Sequence, residues 1–285
     1  MECIGFREFD IVSRGKLTFF GRPAVMGILN ITEDSFYDGG RYCEADAMMQ
    51  HARQMLDEGA DIIDVGASSS RPGASLLPPD MEAKRLREAI TVLRSEFPDI
   101  LISADTCYSM PARAAAEAGA DIINDIGGGA IDGTMFSTVA ELQVPYILMH
   151  GGEQVLASGR WKDGDGEEKV DVVDRVVRYL SAKLDNLYSL GVKDVWLDPG
   201  FGFGKTMDEN HELLHRLDEL TTLFREPMLV GVSRKRMVYQ TLGGTPQEAL
   251  NGTTVLNTMA LERGAQILRV HDVRAAREAV ALLSK

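Results

Sequence analysis

Short apolar, β-branched runs recur along the chain, each closed by Gly, Asn, Asp or Ser and followed by a longer segment of helical composition. Eight such runs are present: Ala24–Asn30 (AVMGILN), 61–65 (DIIDV), 100–106 (ILISADT), 121–125 (DIIND), 145–150 (PYILMH), 194–198 (DVWLD), 227–233 (PMLVGVS) and 265–270 (AQILRV). A strand covered on both faces reads as a continuous apolar run, so these predict buried parallel strands. Helices are predicted between them over 44–58, 79–95, 110–117, 170–190, 208–223, 246–262 and 274–284. The segments EGADIIDV, AGADIIND, LGVKDVWLD and RGAQILRV repeat one phrase, a glycine that ends a helix followed by a strand. Their glycines, Gly59, Gly119, Gly191 and Gly264, are spaced at about two βα units.

Eight strands alternating with helices in 285 residues predict an α/β fold, a single (β/α)8 TIM barrel. A doubly wound open sheet is the structural rival. Residues 9–20 (FDIVSRGKLTFF) alternate around Ser13-Arg14-Gly15 and predict an N-terminal β-hairpin, placed to plug the N-terminal end of a barrel. The most polar stretch, 159–168 (GRWKDGDGEE), falls between the fifth strand and its helix and reads as a surface loop, not a linker. One domain is therefore expected over 1–285, with the hairpin at 9–20 and the barrel over 24–285.

In such a barrel the strand C-termini and the loops after them open on one face, which carries the active site. Those positions hold Asn30, residues 68–71, Asp105, Asn124, His150, Asp198, Lys235, and Arg269 with His271. Any one of them reads well as a cap or a turn residue, but a polar group on every strand makes a site the better explanation. Asp105, Asn124, Asp198 and Lys235 suit a flat heterocycle carrying amide and amine groups, since carboxylates accept from ring N–H donors while Asn and Lys reach ring acceptors. Arg71, Arg269 and His271 form a cationic group that matches phosphate oxygens. Asn30, a neutral oxygen donor, suits a hard cation shared with phosphates.

Composition narrows the partners. With 43 acidic against 30 basic residues and a net charge of −13, the chain is a poor match for nucleic acid or an anionic membrane. No uncharged apolar run approaches the roughly 20 residues of a membrane helix, and MECIGFREFD lacks the order of a signal peptide. Cys3, Cys43 and Cys107 are scattered and form no CxxC pair, which fits a cytoplasmic protein. PGFGFGKT ends like a phosphate-binding loop, but Pro199 stands where that motif needs its first glycine. His211 and His215 read as a helix face rather than a metal pair.

The ordered segments MGILNITEDSFYDGG, GADIIDVGASSSRPGA, ISADT, GADIINDIGGG, LDPGFGFGKT, LVGVSRK and LRVHDV resemble the signature segments of the dihydropteroate synthase family, from Val25 to Val273. The resemblance implies a TIM-barrel transferase of folate biosynthesis that condenses 7,8-dihydropterin-6-ylmethyl diphosphate with p-aminobenzoate, releasing pyrophosphate. It places the pterin on Asp105, Asn124, Asp198 and Lys235, with Met149 and Phe203 as apolar walls. It places diphosphate on Arg71, Arg269 and His271, and Mg2+ at Asn30. Loops 31–40 and 67–74 would close over the substrates, with Phe36, Ser70, Pro72 and Arg236 toward p-aminobenzoate, the substrate that sulfonamides mimic. The family commonly forms homodimers, so small-molecule substrates and a second copy are the expected partners. The chain departs from the family pattern at Glu33 (usually Pro), Ala67-Ser68 (usually Gly-Glu), Ser70 (usually Thr) and Arg236 (usually Ser). Two neighbouring readings are a catalytically silent pterin-binding homologue and a methyltetrahydrofolate-type methyltransferase; the latter has no diphosphate for Asn30, Arg71, Arg269 and His271 to hold.

Overall fold

Successive side chains of a strand point to opposite faces, and in this protein both faces are apolar over most of each strand. A computed structural model describes residues 6–31, 41–67, 77–151 and 170–284, with backbone alone for 41–45. The hairpin is β1 (Phe9–Ser13) and β2 (Lys16–Phe20), antiparallel, with Ser13 opposite Lys16. Arg14 and Gly15 both take positive φ, 51° and 75°, as a two-residue turn requires if it is to follow the twist of its strands.

Eight strands follow: β3 (Ala24–Asn30), β4 (Ile62–Gly66), β5 (Leu101–Asp105), β6 (Ile122–Asp125), β7 (Tyr146–Met149), β8 (Val195–Asp198), β9 (Leu229–Val230) and β10 (Ile267–Val270). From β3 to β8 each pairs in parallel with the next, and β10 pairs with both β3 and β9. A parallel bridge between Leu197 and Met228 joins β8 to β9 and completes the ring, so the open-sheet alternative is excluded. The helices are α1 (Arg41–Asp57), α2 (Pro79–Glu96), α3 (Ser109–Ala118), α4 (Met135–Leu142), α5 (Val172–Ser189), α6 (Met207–His215), α7 (Leu217–Leu223), α8 (Arg236–Tyr239), α9 (Leu250–Glu262) and α10 (Val273–Leu283).

Three helical segments differ from expectation. The 208–223 helix is two, broken at Arg216, whose guanidinium binds Asp171, Glu212 and Glu219 at 2.6–2.9 Å. The 246–262 helix opens as a 3-10 turn, Pro246–Glu248, before α9. Helix α4 was not evident because Ser137, Thr138 and Val139 carry weak helix propensity; burial of Met135, Phe136 and Val139 holds it in place.

The barrel contains two kinds of layer. Toward the N-terminal end the interior is Met26, Ile62, Ile122, Ile147, Trp196, Leu229 and Ile267, closed by Phe9, Ile11 and Phe20 of the hairpin. Phe9 stacks on Phe20 (centroids 4.6 Å apart) and meets Trp196 edge-on at 5.7 Å, so the hairpin is the expected plug. The outward residues of the same strands, including Val25, Ile63, Val65, Ile102, Ile123, Leu148, Leu197, Val230 and Leu268, pack under the helices. None of the described helices is long and apolar enough to cross a membrane.

Candidate active site

Two residues beyond the apolar layer the inward positions turn polar: Ile62 is followed by Asp64, Ile122 by Asn124, Trp196 by Asp198 and Ile267 by Arg269. Period-2 alternation puts each pair on the same side of its strand, so the upper interior of the barrel is a ring of hydrogen-bonding groups. Pairing aligns Asn30, Gly66, Asp105 and Asn124 in one row across β3 to β6. Asp64 is fully buried, and its Oδ2 accepts from Asn124 Nδ2 (3.1 Å) and Arg269 Nε (2.6 Å). Arg269 Nη2 donates to Asp105 Oδ2 at 2.6 Å. Of the expected residues, Asp105, Asn124 and Arg269 therefore form one bonded group, joined through Asp64. Sequence reasoning passed over Asp64, although it occupies in EGADIIDV the place that Asn124 occupies in AGADIIND.

Asp198 and Lys235 form the opposite wall. Asp198 Oδ1 accepts from the Gly200 amide at 2.7 Å, and Lys235 Nζ donates to the Phe201 carbonyl at 2.5 Å while lying 4.8 Å from the centre of the Phe203 ring. Phe203 packs with Cys107, Ile126 and Met149, so the two expected apolar walls belong to one cluster. The loops after β9 and β10 are tied together. Arg234, held at φ 54°, gives Asp272 two bonds of 2.9 and 2.6 Å. The Ser233 hydroxyl accepts from the His271 amide and shares a hydrogen bond with His271 Nδ1, both at 3.1 Å. A left-handed non-glycine residue next to a site lysine is a strained position kept by its surroundings.

Burial of charged groups governs the electrostatics. Burial drives the Asp105 carboxyl up to about 7, against the pull of Arg269 and with Asp64 adding to the rise. Asp198 is also raised by burial, opposed by Lys235. Arg269 and Lys235 thus favour the charged carboxylates, and desolvation opposes them. Burial lowers Lys235 to about 8, with Asp198 holding it up. His271, lowered to about 4 by its covered ring and then by Arg269 and Arg234, is neutral near pH 7.

Other expected residues make no side-chain bond to this group among the described residues. Asn30 is exposed at the end of β3, and Arg236 is exposed at the start of α8. Phe36, Ser70, Arg71 and Pro72 lie outside the described residues, as do Glu33, Ser68 and the 159–168 stretch. Among the described residues no group of three or more His, Cys, Asp or Glu side chains is arranged to hold a metal. His211 bonds Thr241 through Nε2 at 3.1 Å.

A closed parallel barrel whose mouth carries paired carboxylates, an amide and a lysine defines a barrel enzyme of polar ring ligands. The sequence profile of the pterin-binding enzymes matches residues 26–271, and the chain belongs to that family. It is 42% identical over 275 residues to the dihydropteroate synthase of Streptococcus pyogenes serotype M3, covering 95% of this chain and 98% of that one. The fold superposes with a TM-score of 0.82 on a dihydropteroate synthase from Clostridium difficile solved in the presence of pteroic acid (36% identity, 92% of this chain, 95% of that one). It also superposes with a TM-score of 0.83 on the Xanthomonas albilineans dihydropteroate synthase with 4-aminobenzoic acid (36% identity, 96% of each chain). Within the family the chain stands with the dihydropteroate synthases.

Proposed function

We propose that the chain condenses 7,8-dihydropterin-6-ylmethyl diphosphate with p-aminobenzoate to 7,8-dihydropteroate, with Asp105, Asn124, Asp198 and Lys235 binding the pterin and Arg71, Arg269 and His271 the diphosphate. The observation that carries this is the ring of groups in the mouth, where two carboxylates, an amide and an ammonium face one another beside a half-buried guanidinium. The carboxylates accept ring N–H bonds, Asn124 and Lys235 reach ring acceptors, and Met149 with Phe203 covers an apolar ring face. Arg269 is bonded to Asp105. A pterin N–H that takes over Asp105 Oδ2 releases Nη2 toward the diphosphate, so occupation of one subsite readies the other.

The residues fit a hard cation at Asn30. A Cβ on Gly66 would lie 3.4 Å from Asn30 Oδ1 and 3.7 Å from Asp105 Oδ2, so the missing side chain keeps the space between these oxygens open. Asn30 offers one neutral oxygen, which matches Mg2+ held mainly by diphosphate oxygens and water. Bound there, Mg2+ supplies charge neutralisation to the departing diphosphate. The chain itself needs no activated nucleophile. Pyrophosphate leaves a methylene conjugated to the pterin ring, Asp105 and Asp198 steady the positive charge that develops, and the neutral arylamine attacks.

Phe36, Ser70, Pro72 and Arg236 are assigned to the p-aminobenzoate side, with loops 31–40 and 67–74 excluding water. An Arg236 that turns toward the carboxylate forms a charge-assisted bond that a sulfonamide matches poorly. Arg236→Ser is then expected to raise the KM for p-aminobenzoate with much less change in sulfonamide inhibition, and an unchanged KM rejects the assignment. Cytoplasmic location and a homodimer complete the reading; sedimentation velocity reports the dimer. The decisive experiment is turnover with both substrates and Mg2+, followed by chromatography of the pteroate product. Pterin binding without product would instead mark a binding protein.

A further inference from the structure

The PGFGFGKT segment is not a phosphate loop, yet it carries a lysine, Lys205, to which the pterin reading assigns no work. Gly200, Gly202 and Gly204 take φ of 72°, 80° and 63°, so the backbone between β8 and α6 winds back on itself. Only glycine is accommodated at the first of these, because a Cβ on Gly200 would lie 2.2 Å from the His150 carbonyl oxygen. The Lys205 side-chain nitrogen, lowered by burial to about 7 with Asp198 opposing, fills the centre of the winding. It donates to the carbonyls of Gly200 (2.8 Å) and Phe203 (3.2 Å) and to Nδ1 of His150 (2.9 Å), the residue that follows β7. Burial, followed by the charges of Lys205 and Arg175, keeps the His150 ring neutral and able to accept.

The same short loop supplies much of the pterin wall. The Gly200 amide holds Asp198, the Phe201 carbonyl holds Lys235 Nζ, and the Phe203 ring lies under that ammonium. Resting on the pterin reading of the site, we propose that Lys205 is a positioning residue: its ammonium, tied to both ends of the 200–203 turn and to His150, fixes the Phe201 carbonyl and the Phe203 ring where Lys235 and the pterin need them. It touches no substrate and acts through Lys235 and Phe203. A lysine of purely structural use would alter stability and leave ligand affinity unchanged.

Two readouts on Lys205→Met test this. In the ligand-free protein, amide hydrogen exchange of residues 200–205 is expected to quicken at least about tenfold, while the amides of β8 keep their rates. By calorimetry, the Kd of a 6-hydroxymethylpterin ligand is expected to rise about tenfold or more, the scale of one lost charge-assisted hydrogen bond. The KM for p-aminobenzoate, measured at saturating pterin diphosphate, stays within about twofold of the parent. In Lys205→Ala, added methylammonium is expected to restore part of the pterin affinity. Should Lys205→Met fail to fold, Lys205→Gln, which keeps two N–H donors without the charge, serves for the same comparisons. Folded variants whose pterin Kd lies within twofold of the parent overturn the proposal. A parent protein that binds no pterin overturns the functional reading instead, and the exchange experiment still decides whether Lys205 closes the loop.

Discussion

Arg269 has two carboxylate partners, Asp64 at Nε and Asp105 at Nη2. Leaving a largely covered guanidinium unpaired is expensive, so a ligand that takes over Asp105 must leave Arg269 another anionic partner. Asp198 differs because its described bonds leave it facing Lys235 rather than an arginine, and it is the cleaner probe of pterin contact. Asp198→Ala is expected to cost about 1.5–3 kcal/mol of pterin binding, the range for a hydrogen bond to a charged group. Calorimetry that finds unchanged affinity removes the residue from the pocket. His271 offers a second test. Held at about 4 by its covered ring and the neighbouring arginines, it is neutral near pH 7, and an arriving diphosphate favours its charged form. Pyrophosphate binding is therefore expected to take up protons and to tighten as pH falls from about 7 toward 5. Calorimetry in buffers of differing ionisation enthalpy measures that uptake, and His271→Gln should reduce it between about pH 5 and 6, below the range in which Asp105 and Lys235 titrate.

At the level of elements, β3 was legible in the sequence with its observed ends, Ala24 and Asn30, because a buried parallel strand is a continuous apolar run. Strand β9 was expected over 227–233, and its ladder covers Leu229–Val230 with one further bridge at Met228, since apolar sequence marks burial and not the extent of a ladder. Helix α4 escaped because packing, not propensity, holds it, and the break at Arg216 escaped because Glu212 and Glu219 lie at spacings that also suit an unbroken helix, while its third partner, Asp171, is distant in sequence. The site divides the same way. Rim residues could be read from strand ends, whereas Asp64 lies one inward step below the rim and the Arg234–Asp272 pair joins two loops. The hairpin was legible in its alternation, and its role can be weighed. Phe9 lies between Phe20 and Trp196 at the end of the barrel opposite the mouth. Phe9→Ala is expected to destabilise the fold by about 3–5 kcal/mol while leaving pterin affinity within about twofold. Denaturant unfolding with calorimetry on the same variant checks both, and a large loss of affinity would mean that the plug shapes the mouth.

Across the whole molecule the mouth is held against the stability of the barrel. An apolar lower interior supports an upper one in which Asp64, Asp105, Asn124 and Asp198 are all buried. For Asp105 the sign of the effect can be worked out. Burial raises its carboxyl from 3.8 to about 7, with Arg269 opposing and Asp64 assisting. Between these values the folded protein keeps a proton that the unfolded chain releases, so this group's contribution to stability is full below about pH 4 and is lost as pH rises through about 7. Asp105→Asn removes the titration while keeping an oxygen that accepts from Arg269 Nη2. The difference in Tm, variant minus parent, is therefore expected to grow between about pH 5 and 7 and to level off by about pH 8. Asp198, His150 and Lys205 also titrate, but Asp105 is not among the charges that shift them, so they largely cancel in the difference; Lys235, which Asp105 helps to hold up, titrates lower in the variant. Thermal unfolding across that range measures it, and a difference independent of pH would show that Arg269 compensates the carboxylate fully. The same substitution removes a proposed acceptor of a pterin N–H, so a variant that gains stability near neutral pH and loses pterin affinity is the outcome expected of a site whose charges are kept for binding.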